Sequence, residues 1–118
     1  MKGISYAING IKTAFKTEVN FKTHLAATFL VVLSGWFFEI SAIEWIFIAG
    51  CTGLVISMEM MNTAVEYLVD FVSPEIHVTA GKIKDISAGA VLTVALTALI
   101  VGLIIFIPKV TVWLEEFA

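Results

Sequence analysis

The sequence predicts an all-α membrane protein with an amphipathic amino-terminal surface helix followed by three transmembrane helices. Three observations predict it. Hydrophobic residues make up 59% of the 118 positions and charged residues 14%. Mean hydropathy is +0.98. The apolar residues fall into one periodic stripe and then three long runs. A soluble chain this short needs polar groups to coat a small globule, and too few are present here. The same composition excludes intrinsic disorder, and the length accommodates one domain over 1–118.

Ile4, Ala7, Ile8, Ile11, Ala14 and Phe15 recur at helical spacing, with Lys2, Ser5, Asn9, Lys12 and Lys16 elsewhere, which predicts a surface helix over about 2–17. The segment lacks the long apolar core and small-residue cleavage site of a signal peptide, so it is expected to stay in the mature protein. Its apolar face suits the headgroup boundary and equally suits packing on the protein's own helices.

Apolar runs follow at 25–38, at 43–58 with polar interruptions to 72, and at 86–107. A helix needs about 20 residues to cross a hydrocarbon layer of about 30 Å, so the spans are expected at about 22–38, 43–70 and 86–107. Trp36 and Trp45 suit the interface at one end. The short connection at 39–43 makes the first two spans antiparallel neighbours. Ser73 and Pro74 break the second span, a polar stretch covers 75–84, and Pro108 is expected to close the third run.

The net charge is −3, from seven lysines, no arginine and ten acids. No concentrated basic face exists for a nucleic-acid partner. Lys2, Lys12, Lys16, Lys22, Lys82 and Lys84 fall on one side of the predicted spans, and only Lys109 on the other. The positive-inside rule then places the amino terminus and the second connection in the cytoplasm, within reach of nucleotides, with Glu115 and Glu116 outside. Cys51, alone in an apolar run, forms no internal disulfide, fits no zinc spacing, and reads as a small packed residue.

Glu59, Asn62, Glu66 and Asp70 stand at offsets 0, 3, 7 and 11 of the second span. At 100° per residue they share an arc of about 80°. An acid near a bilayer centre costs about 2.5–3.5 kcal/mol on insertion scales, so three on one stripe require compensation. Clustered carboxylates with an amide suit a hard cation, and Mg2+ is commonly held by one or two carboxylates plus substrate phosphates. Glu18, at the end of the surface helix, is placed to join them. Lys84 and Asp85 mark the entrance to the third span, where a lysine can meet phosphate oxygens and Asp85 can cap the helix. Gly81, Ala88 and Gly89 bring small residues there, whose default meaning is close packing. The blander reading of the stripe is a cytoplasmic extension beginning after Met58, with solvated acids. Against it, Met58, Met60, Met61, Ala64, Val65, Leu68 and Val69 keep the opposite face apolar.

No phosphate-binding glycine loop of the soluble nucleotide folds occurs. His24 and His77 are 53 positions apart and carry no ligand spacing. His24 reads as a buried hydrogen-bonder.

The run Glu59-Met60-Met61-Asn62-Thr63-Ala64-Val65-Glu66, followed by Asp70, resembles the E-x-x-N-[ST]-A-[IV]-E-x-x-x-D signature of the small bacterial diacylglycerol kinase and undecaprenol kinase family. Ser73-Pro74-Glu75-Ile76-His77 is similar to its S-x-E-[YF]-H segment, with Ile76 in place of the aromatic. Lys84-Asp85-Ile86-Ser87-Ala88-Gly89-Ala90-Val91 is similar to its K-D-x-x-[AS]-[GA]-A-V block. With Tyr6, Gly10 and Glu18 upstream, the resemblance runs from Tyr6 to Pro108. It implies a multi-pass kinase of the bacterial inner membrane with a cytoplasmic amino terminus, forming a homotrimer with active sites shared between subunits. ATP, with Mg2+, would be the phosphoryl donor and a membrane lipid alcohol, undecaprenol or diacylglycerol, the acceptor. The resemblance makes Glu59 the general base, with Ala88 beside it at the lipid, and has Asn62 position the reacting groups. Glu18 and Glu66 would hold Mg2+ and contact ATP, as would Tyr6, Glu75, His77, Lys84 and Asp85 around the nucleotide, while Asp70 supports the site. The segment 17–25, Thr-Glu-Val-Asn-Phe-Lys-Thr-His-Leu, is similar to undecaprenol-type relatives.

Two other readings of the acidic stripe stand beside this one. One is a small oligomeric proton or cation pathway, since acids inside helix bundles also mark ion routes. The other is a non-catalytic assembly subunit whose acids pair with a basic partner helix.

Overall fold

Long apolar runs punctuated by short polar breaks leave helices as the only economical way to satisfy the backbone. The computed structural model, which describes residues 2–118, consists of four: α1 (Lys2–Thr17), α2 (Val19–Phe37), α3 (Ala42–Val72) and α4 (Val78–Glu116). α3 is central and packs against each of the others. The chain is a slab of 60 × 38 × 21 Å, two helix diameters thick.

The α2–α3 hairpin is fixed by its turn. Glu39 adopts φ 50°, the left-handed conformation that ends helices, and the Ile40 amide returns to the Gly35 carbonyl at 3.1 Å. Ser41 then caps α3. Its hydroxyl accepts from the Glu44 amide at 3.2 Å, while Glu44 Oε1 accepts from the Ser41 amide at 2.9 Å. Glu44 Oε2 also takes the Lys109 ammonium at 2.7 Å, tying the start of α3 to the end of α4. Beside this lock Ile40, Ile48 and Ile105 form the apolar core, flanked by Val31, Phe38, Trp45, Val101 and Phe106.

α1 leans on the other end of the bundle. Only Ala14 is buried, and the Lys22 ammonium lies 5.3 Å from the centre of the Phe15 ring. Ile4, Ile8 and Ile11 remain about half exposed or more. The last turn of the stripe packs on α2 and α3, and its first three turns leave an apolar face exposed.

α3 and α4 are each long and apolar enough to cross a membrane. With 31 and 39 residues they measure about 46 and 58 Å at 1.5 Å per residue, so their ends extend beyond the hydrocarbon layer. α4 also corrects the expected limits of the third run. It begins at Val78, inside the stretch read as a polar connection, and runs through Pro108 to Glu116. The proline forfeits one intrahelical hydrogen bond. Beyond it the helix is held by the Lys109–Glu44 pair and by Trp113, whose ring is 6.0 Å from Phe37. The cap is His77, whose Nδ1 accepts from the Thr79 amide at 3.0 Å, and not Asp85, which lies within the helix.

Candidate functional site

The buried residues of α3 are Ile48, Val55, Glu59, Asn62, Thr63 and Val69. At 100° per residue they fall within an arc of about 120°, and Glu66 and Asp70 lie inside the same arc. The acidic stripe and the packing stripe are thus one face, turned toward the chain's own helices. Met61, Leu68 and Phe71, on other faces, are exposed. The solvated-extension reading fails at Glu59, which is only 2% exposed, whereas the Asp70 side chain at the end of the stripe is 64% exposed.

One cluster surrounds Glu59. His24 Nε2, from α2, lies 3.4 Å from Glu59 Oε2. The carboxylates of Glu18 and Glu66 are near enough to act on Glu59 through their charge. Glu18 occupies the N-cap position of α2 in an extended conformation without using its side chain as a cap, which leaves that carboxylate free for other work. One turn beyond Glu59, the Asn62 amide donates to Glu66 Oε1 at 3.2 Å. Asn62 Oδ1 is buried without a partner among the described residues.

A second group gathers where α3 passes into α4. Asp70 pairs with the Lys84 ammonium. Both line a cleft of about 200 Å³ together with Glu75, His77 and Gly81. Tyr6 on α1 and Asp85 and Ala88 on α4 are exposed and line neither cluster.

The first cluster offers oxygen donors of the kind a hard cation takes. Glu18 and Glu66 supply two carboxylates, and the orphaned Asn62 Oδ1 supplies a neutral acceptor in a region of negative charge. Among the described residues no three acidic, histidine or cysteine side chains converge as a complete cage.

Sequence reasoning missed one participant. It read His24 as a buried hydrogen-bonder, whereas its imidazole is 25% exposed and stands against the Glu59 carboxyl.

The sequence model described as "Prokaryotic diacylglycerol kinase" matches residues 5–106. The chain is 41% identical over 108 residues to an undecaprenol kinase of Bacillus subtilis, covering 92% of this chain and 88% of that protein. It is 29% identical over 100 residues to a diacylglycerol kinase of Escherichia coli, covering 85% and 82% respectively. A diacylglycerol kinase of Haemophilus influenzae is 30% identical over 102 residues, covering 86% of each chain.

Proposed function

The chain belongs to the prokaryotic diacylglycerol kinase family and is an ATP- and Mg2+-dependent lipid kinase of the inner membrane, and on that premise we propose that Glu59 is its general base. The reading is carried by one observation: a carboxyl that is 2% exposed stands on the same helix face as Asn62 and Glu66, at the end of the bundle where α1 and α2 meet. The ion-pathway and assembly-subunit readings give way to family membership.

In the proposed reaction Glu59 accepts the proton of the lipid hydroxyl as its oxygen attacks the γ-phosphorus, and the bond from that phosphorus to the ADP oxygen breaks. Glu18 and Glu66 would hold Mg2+, with Asn62 beside them. When bound, the ion neutralises charge on the phosphate oxygens. Lys84, steadied by Asp70, meets those oxygens, with Tyr6, Glu75, His77 and Asp85 around the nucleotide and Ala88 bordering the lipid. Having the base deeper than the phosphate-binding residues suits a reaction whose acceptor arrives from the bilayer and whose donor arrives from water.

The same proposal covers topology. α2 becomes a third span: its 19 residues measure about 28 Å, and Lys22 in its second turn reaches toward the interface. Residues 1–118 then form one multi-pass domain. Six lysines flanking the acidic end of the spans support a cytoplasmic position for that end and the amino terminus. A slab 21 Å thick leaves the α2–α4 groove open, and a homotrimer with shared sites closes it. The acceptor is a polyprenol, in keeping with the 17–25 segment and the 41% identity to an undecaprenol kinase.

Purified protein in mixed micelles with Mg-ATP should phosphorylate undecaprenol in preference to diacylglycerol when both are assayed side by side. Glu59→Gln should abolish turnover while keeping the wild-type oligomer. Glu18→Gln and Glu66→Gln should raise the Mg2+ concentration that gives half-maximal rate. Full turnover by Glu59→Gln would sink the base assignment.

A further inference from the structure

We propose that His24 is a positioning residue for phosphoryl transfer: its Nε2 holds one oxygen of the Glu59 carboxylate so that the other faces the acceptor alcohol. The inference rests on the reading of Glu59 as the base and adds a residue from a different helix. His24 Nε2 lies 3.4 Å from Glu59 Oε2, within a small rotation of a hydrogen bond. It is the only lysine, histidine or terminal amine within 4 Å of that carboxyl among the described residues.

Glu59 needs such a partner. Its side chain is 3% exposed, and Glu18 and Glu66 add like charge nearby. An ionised carboxylate in that setting persists only with a donor that offsets lost hydration. A base must also present a chosen lone pair to the proton it takes. Because Oε2 is the oxygen beside the imidazole, Oε1 is left for the substrate.

The location of the ring favours a role in the reaction over simple neutralisation. His24 also forms part of the wall of a 450 Å³ groove between α2 and α4. The other polar groups of that groove are withdrawn. The hydroxyls of Thr28, Ser34 and Thr52 donate to the carbonyls of His24, Leu30 and Ile48, each at 2.8 Å. The imidazole is therefore the one chemically active group on an otherwise apolar wall, and it touches the buried carboxyl. In the transfer step the alcohol proton passes to Glu59 Oε1, the new O–P bond forms and the P–O bond to ADP breaks. His24 neither gains nor loses a proton in that step.

The test uses the full-length protein in mixed micelles across a titration of Mg-ATP. His24→Leu should lower kcat by about tenfold to a hundredfold, the range expected for losing a hydrogen bond to a charged group, with KM for ATP unchanged. His24→Gln keeps an N–H donor at similar reach and should recover most of kcat. An unaltered kcat in His24→Leu, or a His24→Gln variant as slow as His24→Leu, would overturn the proposal. Should His24→Leu fail to assemble, imidazole 15N spectra decide. The protein has two histidines, and the His24 signals, identified by their loss in His24→Gln, should shift on Glu59→Gln. Unmoved signals reject the contact. An active Glu59→Gln overturns the base assignment and this proposal together, whereas an inactive Glu59→Gln with an unaffected His24→Leu overturns this proposal alone.

Discussion

Asn62 donates its amide to Glu66 Oε1, one helical turn away, and leaves Oδ1 buried with no partner among the described residues. An unsatisfied buried acceptor costs about 1–3 kcal/mol, so this side chain lowers the stability of the isolated chain. Its proposed return comes when cation and nucleotide bind. Asn62→Leu should therefore unfold no earlier than wild type in a denaturant titration in micelles, while kcat/KM falls about tenfold to a hundredfold, as for loss of a group that supports metal ligands. A purely structural asparagine predicts the reverse pairing, lower stability with activity retained.

At the opposite end of the bundle, α2 and α3 approach so closely that a Cβ on Gly35 would lie 2.7 Å from Trp45 Cη2 and 3.0 Å from Ile40 Cδ1. Helix propensity alone would favour alanine there by about 1 kcal/mol. Overpacking costs about 1–3 kcal/mol and should win, because the indole is itself packed against the core cluster. Gly35→Ala should be destabilised by about 1 kcal/mol or more net, and combining it with Trp45→Leu should recover part of that loss. Strict additivity in the double-mutant cycle would contradict the contact.

The parts of this architecture that depend on periodicity were readable from sequence. The α1 stripe from Ile4 to Phe15, the tight α2–α3 turn and the shared face of Glu59, Asn62 and Glu66 all follow from 100° per residue and a short connection. The His24–Glu59 contact was within reach of the same reasoning. An antiparallel hairpin turning at 39–40 sets residue 24 level with residue 55, about one turn from Glu59. What sequence did not disclose were the limits of α4. Hydropathy marks where a helix is greasy, and Val78–Asp85 and Lys109–Glu116 are helical without being continuously apolar. The proline signal at Pro108 was overridden by tertiary contacts of Lys109 and Trp113. The Asp70–Lys84 pair was equally hidden, because it depends on how the 73–77 connection folds back.

The Lys109–Glu44 pair joins residues 65 positions apart at the end remote from the acidic cluster. Its role should be purely structural. Lys109→Met should lower the unfolding temperature in micelles while leaving the initial rate at low temperature at the wild-type value, and Lys109→Arg should restore the unfolding temperature. A loss of kcat in the folded Lys109→Met protein would show that the outer lock reaches the site.

Asp70 and Lys84 form a pair that bridges the end of α3 and the start of α4. Both groups are substantially exposed, 64% and 39% for their side chains, so the pair adds little to stability. Its value is directional: a free lysine samples many rotamers, and Asp70 confines the ammonium to the cleft shared with Glu75 and His77. Asp70→Asn should accordingly leave the unfolding midpoint within about 0.5 kcal/mol of wild type and raise KM for ATP several-fold. The change should vanish in a Lys84→Met background, because an acid that works only by holding a lysine has nothing left to hold. If Asp70→Asn raised KM equally with and without Lys84, Asp70 would have to act on the nucleotide or its cation by itself, and the steering role assigned to it would be wrong.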